Sequence, residues 1–188
     1  MADIQYNFIN LPSRIEFENG HVISYLYDAD GIKLRTTHII GSDTTVTDYC
    51  GNVIYENGIP VKLLTEAGYV TLADSKYHYF VQDHLGNNRV VVDQSGNVEE
   101  VNHYYPFGGL LSSSVSNAVQ PYKYNGKELD RKNGLDWYDY GARMYDAALG
   151  RWHVVDPMSE KYYSWSPYTY CKNNPVLRID LDGKDDYV

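Results

Sequence analysis

Cysteine is scarce in this chain, with two residues in 188, Cys50 and Cys171. They lie far apart and in no CxxC or metal-ligand spacing, so no structural disulfide is expected. Phenylalanine is rare as well, at four residues. Basic charge is short: 16 Lys and Arg stand against 25 Asp and Glu, for a net charge of −9, and no basic run exceeds two residues. Binding to nucleic acid through phosphate neutralisation is therefore disfavoured. No apolar run approaches the roughly 20 residues a membrane helix needs, so no membrane insertion by this segment is expected. The start Met1-Ala2-Asp3-Ile4-Gln5 lacks a charged opening followed by an apolar stretch, so no signal peptide is read here.

The chemistry-bearing residues are equally sparse in pattern. The histidines (His21, His38, His78, His84, His103, His153) form no HxxxH or HxH pair, so no zinc site is expected. Asp28-Ala29-Asp30-Gly31 starts like a calcium loop but lacks the later acidic ligands, and it reads as a hairpin turn. Ser112-Ser113-Ser114 has no GxSxG context, and no Gly-rich phosphate loop is present. No cofactor and no metal are called for.

What the chain does have is tyrosine, at 20 residues, and regular glycine. Tyrosine suits a pleated, half-buried surface, apolar in the ring and polar at the tip. Glycines fall at 20, 31, 41, 51, 58, 68, 86 and 96, with short alternating runs such as HVISYLY, NVIYE and NRVVVD between them. Most sit in turn chemistry, as in Asn57-Gly58, Gly86-Asn87 and Ser95-Gly96-Asn97. Glycine reaches positive φ at no steric cost and Asn or Asp tolerates it, so the first half reads as successive antiparallel hairpins. A loose repeat is visible in YLYDADG, YCGN and YHYFVQDHLGN, the mark of stacked units that each bury a face against the next.

Residues 111–121, LSSSVSNAVQP, read as an exposed loop. Beyond them the alternation of Tyr138, Tyr140 and Ala142 with Asp139, Gly141 and Arg143 predicts a strand, Ala147–Gly150 a turn, and Arg151–Val155 a returning strand. A short helix is expected within Ser166–Lys172, ended by Asn173-Asn174 before Pro175. Trp137, Trp152 and Trp165 could stack on sugars, but packing inside the protein is the expected use. The fold class is mainly β, an antiparallel hairpin ribbon with a short helix near the C-terminus.

The ordered motifs HLGNNR, NHYYPFGG, KYNGKELD, WYDYGARMYDAALGRWHVVDP, YTYCKNNPV and DLDG resemble the RHS repeat-associated core of RHS/YD-repeat proteins. That family includes polymorphic toxins and the C component of insecticidal toxin complexes. The specific match runs from about Tyr77 to Lys184. It divides the chain into degenerate YD-type hairpins over 1–76, the core over 77–184 and a residual tail over 185–188. The resemblance implies a β-ribbon wound into a hollow shell, with the core closing one end. Its implied partners are upstream repeats of the same shell and a C-terminal toxin, and its implied location is the cell surface or the exterior. Only Asp185-Asp186-Tyr187-Val188 follow the motif, too few for a toxic fold.

The resemblance further implies an aspartyl self-cleavage just beyond the second of two DPxG-type motifs. Here these are Asp156-Pro157-Met158-Ser159 and Asp180-Leu181-Asp182-Gly183, with Asp180 following Asp156 by 24 residues. Two carboxylates shielded from water cannot easily both ionise, and such a pair can activate a water and protonate a leaving nitrogen. Asp156 and Asp180 are the candidate pair, with Arg151 to steady charge and Asp182, Gly183 and Lys184 forming the cleavage region. The sequence departs from the family pattern: Ser159 replaces glycine, Leu181 replaces proline, and Lys184 stands where leucine is common. A lysine entering an apolar-walled pocket would cost desolvation energy, so cleavage after Lys184 is expected to be slow or incomplete. The competing reading is that Asp156 opens one turn and Asp180 and Asp182 cap another. At the level of the whole chain, the alternative to a shell segment is a non-catalytic surface module that binds a partner or glycan. An unpaired strand near the N-terminus, prone to self-association, would point to the shell.

Overall fold

A computed structural model describes residues 3–112, 114–116 and 120–187. The chain divides into two compact units, Met1–Tyr79 and Phe80–Val188. In the first unit successive strands pair antiparallel with their neighbours in chain order: β1 (Asp3–Tyr6), β2 (Pro12–Glu16), β3 (Val22–Tyr27), β4 (Lys33–Ile40), β5 (Asp43–Cys50), β6 (Val53–Glu56), β7 (Ile59–Thr65), β8 (Gly68–Thr71) and the first half of β9 (Lys76–Gln82). Among the described residues of this unit β1 pairs with β2 alone.

The turns follow from local chemistry. Asp28 Oδ1 accepts the amides of Asp30 at 2.9 Å and Ile32 at 2.8 Å. The same arrangement recurs in the second unit, where Asp83 Oδ1 receives Leu85 and Asn87, and Asp93 Oδ1 receives Ser95 and Asn97. In each, a glycine three residues on supplies the positive φ. The aspartates thus cap their own turns. Asn57 and Gly58, at φ 50° and 79°, make a two-residue connection whose twist suits a hairpin. Leu11, Ile15, Phe17, Val22, Ile23 and Tyr25 supply much of the buried apolar surface of this unit.

The second unit carries β10 (Asn88–Asp93), β11 (Val98–Val101) and β12 (Val115–Ser116), then a four-stranded sheet of β13 (Glu128–Asp130), β14 (Trp137–Asp139), β15 (Met144–Asp146) and β16 (Arg151–Trp152), and last a two-stranded pair, β17 (Ile179–Asp180) with β18 (Asp186–Tyr187). Its core joins Tyr124, Leu129, Tyr138, Tyr140, Tyr145, Trp152, Tyr170 and Cys171. The preference for tyrosine over phenylalanine has a physical reason here. Tyr124, Tyr145 and Tyr138 donate their hydroxyls to the successive carbonyls of Pro106, Phe107 and Gly108 at 3.0, 2.8 and 2.9 Å. Each ring fills the core while its tip satisfies a turn carbonyl. Gly108 is required by space as well as by its φ of +89°, since a Cβ would stand 2.6 Å from the Tyr124 ring. Asn125, at φ 50°, accepts the hydroxyls of Tyr140 and Tyr170 at 2.6 and 2.7 Å and donates to Leu85 O at 2.8 Å.

Several expected elements differ. The strand expected over 138–143 ends at Asp139, because Asp139 Oδ1 accepts the Gly141 amide at 2.8 Å and Gly141 turns the chain at φ +91°. The returning strand is confined to Arg151–Trp152. The expected helix in 166–172 is absent. Tyr170 is extended so that its ring reaches the core, and Cys171, Lys172 and Asn173 all have positive φ, leaving one 3₁₀ turn at Cys171–Asn173. Further 3₁₀ turns occupy Tyr124–Gly126, Lys132–Gly134 and Ser159–Lys161. Part of the expected 111–121 loop is β12, paired with Glu100 and Val101. Ser113 and residues 117–119 of that loop, and Val188 of the tail, lie outside the described residues. Both cysteines are free thiols. Trp137 and Trp152 are buried, but Trp165 is exposed rather than packed inside.

Candidate functional site

The second unit brings the two singled-out aspartates to one buried cation. Arg143 Nη2 lies 3.1 Å from Asp156 Oδ2 and 3.5 Å from Asp180 Oδ2. Arg143 follows the Gly141 turn that ends β14, and it is 1% exposed. Its guanidinium also lies 4.2 Å from the centre of the Trp152 ring. Arg151, the arginine expected to steady the pair, is exposed and forms β16 opposite Asp146. On a strand beside Trp152 its side chain takes the outward direction while the tryptophan takes the inward one. Arg143 holds the place that was expected for it.

Asp180 and Asp156 have different surroundings. Asp180 is 2% exposed. Burial pushes its carboxyl up to about 6, against the lowering effects of the Gly183 amide and Arg143. Its Oδ1 accepts the amides of Asp182 at 3.1 Å and Gly183 at 2.6 Å. Asp156 is half-buried; its Oδ1 accepts the Met158 amide at 2.7 Å and its own amide donates to Pro167 O at 3.0 Å. It lines a shallow open pocket together with Ser159, Tyr162, Trp165, Thr169 and Lys172. Both aspartates therefore accept the amides of their own turns, and both also face the guanidinium.

Three consecutive carbonyls of the DLDG segment are held from one side. Lys127 Nζ donates to Leu181 O at 2.5 Å, the Ala142 amide to Asp182 O at 3.1 Å, and Arg143 Nε to Gly183 O at 2.6 Å. These contacts are made to the backbone, and the Leu181 side chain is exposed. Leucine in place of proline thus disturbs nothing that the grip uses. Gly183 is specified: at φ +80°, a Cβ would lie 3.0 Å from the Arg143 amide nitrogen and 3.4 Å from Tyr140 Cβ. Downstream, Asp185 accepts from the Tyr162 hydroxyl at 2.7 Å and pairs with Lys161 at 3.1 Å. Asp186 pairs with Arg178 at 2.6 Å and Lys172 at 3.0 Å. The Lys184–Asp185 peptide is bracketed on both sides. Lys184 itself is exposed, so the desolvation cost expected of it is not incurred here. Asp182 is exposed too, with its Oδ1 accepting the Lys184 amide at 3.1 Å.

The sequence reading missed Lys127 and Arg143. Both sit inside quoted motifs, KYNGKELD and WYDYGARMYD, but no local signal marks which of several nearby cations turns inward.

Antiparallel hairpins punctuated by aspartate-capped glycine turns, followed by a tyrosine core and a DLDG segment held through its carbonyls, define a YD-repeat shell segment. A family profile described as the teneurin YD-shell matches residues 63–176, and the chain belongs to that family, within the RHS/YD-repeat proteins. It is 32% identical to Salivary gland surface protein 1 of Aedes aegypti over 92% of this chain and 6% of that protein. It is 29% identical to Toxin subunit YenC1 of Yersinia entomophaga over 73% of this chain and 15% of that protein. It is also 29% identical to the tRNA3(Ser)-specific nuclease WapA of Bacillus spizizenii over 88% of this chain and 7% of that protein. Among solved structures, the TcdB2-TccC3-Cdc42 crystal structure superposes with a TM-score of 0.81 at 20% identity, over 97% of this chain and 10% of the other. The Photorhabdus luminescens Tc holotoxin pore superposes with a TM-score of 0.78 at 21% identity, over 96% and 10%. These superpositions show a shared fold. The chain spans less than a sixth of each of these relatives.

Proposed function

We propose that this chain is an end segment of an exported RHS/YD-repeat shell and that it cleaves itself after Lys184. The observation that carries the reading is the grip on three successive carbonyls, Leu181, Asp182 and Gly183, next to two carboxylates that share Arg143. Holding the backbone immediately before a bond, with two carboxylates beside the held segment, favours hydrolysis as a positioned reaction within one chain.

The roles follow from burial. Asp156 is half-buried and lines the open pocket, so water reaches it and it serves as the base. Asp180 is buried and holds its proton up to about pH 6, so it serves as the acid for the leaving Asp185 nitrogen. Water oxygen bonds to the Lys184 carbonyl carbon, the C–N bond to Asp185 breaks, and the nitrogen takes the proton. Arg143 pairs with Asp156 and anchors the preceding carbonyl. The β1 edge is where an upstream repeat of the same shell would add by strand pairing, and where copies of an isolated segment would associate.

The test is the intact mass of a chain carrying its natural downstream sequence, followed over days at several pH values. Cleavage after Lys184 is expected, with a rate that falls as pH rises through about 6 because the acid is lost. Asp180→Asn and Asp156→Asn should each abolish it. An unchanged mass at every pH in the folded chain would overturn the self-cleavage reading and leave the shell reading standing.

A further inference from the structure

The residues after the Lys184–Asp185 peptide are held as closely as those before it, and by other elements. Asp185 has both carboxylate oxygens taken: Tyr162 donates its hydroxyl to Oδ1 at 2.7 Å, and Lys161 Nζ lies 3.1 Å from Oδ2. Asp186 is divided in the same way, with Arg178 Nη1 2.6 Å from Oδ2 and Lys172 Nζ 3.0 Å from Oδ1. Lys172 Nζ also lies 4.5 Å from the centre of the Tyr162 ring, which ties the two acid contacts together.

The register of β17 and β18 gives this grip its direction. Asp186 stands opposite Asp180. Directly opposed residues of an antiparallel pair have Cα atoms about 4.5–5.5 Å apart, so Asp185 is next in the chain to the ladder partner of Asp180. The segment that grips Asp185 is also the one that begins with Asp156. Residues 156–162 form one hydrogen-bonded run, in which Asp156 O accepts the Ser159 amide at 3.0 Å, Met158 O the Lys161 amide at 2.8 Å and Ser159 O the Tyr162 amide at 3.0 Å. A shift of Asp185 against this run is therefore a shift against Asp156 as well.

We propose that Tyr162 is a positioning residue that reads an acidic side chain on the leaving side of the cut and so fixes the Asp185 nitrogen; this rests on the self-cleavage reading given above. Fixing both carboxylate oxygens restrains the Asp185 Cβ and Cα, and through them the amide nitrogen. With the carbonyls of Leu181, Asp182 and Gly183 held upstream, Lys184 alone lies between the two grips. Tyr162 outweighs Lys161 in this. Its bond to the carboxylate is short and charge-assisted, whereas the Lys161 side chain is half exposed, in a surface ion pair of small worth. The two donors hold the Asp185 carboxyl below its ordinary value, so it is the anion at neutral pH.

The intact mass of the full chain with its natural downstream sequence, followed over days, gives the cleavage rates that test this. Removing a hydrogen bond to a charged group from the positioned state corresponds to a rate about 10- to 100-fold lower. Tyr162→Phe and Asp185→Ala should each show a fall of that size, and the double variant should be no slower than Asp185→Ala, since both act through one contact. The pH at which the rate falls, about 6, should stay where it is in Tyr162→Phe, because Asp180 keeps its burial. A midpoint moved toward the ordinary carboxylate value would instead assign Tyr162 to the support of Asp180 and overturn the proposal. A wild-type rate in either single variant overturns it too, and leaves the cleavage reading standing, as does a double variant slowed by the product of the two single falls. A wild-type chain that stays intact at every pH overturns the cleavage reading and this role with it.

Discussion

The two units of this chain use similar residues to opposite ends. In the first, strands of up to eight residues pair with their sequence neighbours, and the ladder itself carries the structure. Its strands leave Leu26, Leu34, Ile39 and Ile59 exposed, so burial within this unit is thin. In the second, the four-stranded sheet is made of strands of two or three residues, too short to hold by ladder alone. There, side chains bond to distant carbonyls: Tyr138 to Gly108, Asn125 to Leu85, Arg143 to Gly183. The first unit is cheap to specify and tolerant of change, while the second is specified residue by residue.

Tryptophan fluorescence separates the two experimentally, because Trp137, Trp152 and Trp165 all lie in the second unit. The largest expected effect is at Arg143. Arg143→Met leaves Asp156 and buried Asp180 without their shared cation and should destabilise the second unit by about 3–5 kcal/mol in urea unfolding. Replacing the exposed Arg151 by methionine should leave the same transition within about 0.5 kcal/mol.

Next in size is a pH dependence. The Asp180 carboxyl stands at about 6 in the folded chain against an ordinary value of 3.8, with burial as the chief cause. Between those values the folded chain binds a proton that the unfolded chain does not. The associated stability is fully present below about 3.8 and lost as pH rises through about 6, an effect on the order of 3 kcal/mol. Subtracting the stability curve of Asp180→Asn from that of the wild type should isolate this fall. A flat difference across that window would contradict the buried setting of Asp180.

Smaller effects sharpen the contrast between tyrosines. Tyr138→Phe strands the Gly108 carbonyl and should cost about 1–2 kcal/mol. Tyr79→Phe, at an exposed strand position of the first unit, should stay within about 0.5 kcal/mol by circular dichroism melting. Smallest among the losses is Asp28→Ala, which removes two amide contacts from one hairpin turn and should cost about 1 kcal/mol, whereas Asp28→Asn keeps the acceptor and should restore most of it.

Much of this was legible in the residues. Many of the hairpins could be read because their turns, such as those at Asp28–Ile32 and Asp93–Asn97, are closed by their own aspartate and glycine within five residues. Both aspartates of the candidate site were legible from the spaced motifs. The strand through Tyr140 and the helix at 166–172 were misread for one reason. Alternation and composition suggest an element, but Gly141 and the left-handed run at Cys171–Asn173 obey the demands of the tyrosine core. The choice of Arg143 over Arg151 was not legible, since the two lie eight positions apart on one hairpin and differ only in which side of it they take.

The sequence by itself determined the antiparallel order of the hairpins and the family of the chain, because those depend on turns that are settled locally. Tertiary structure alone decided which cation the two aspartates share and which three carbonyls are gripped. Each of those depends on residues tens of positions apart reaching one water-poor place, where an unpaired charge or carbonyl is costly enough to select a single partner.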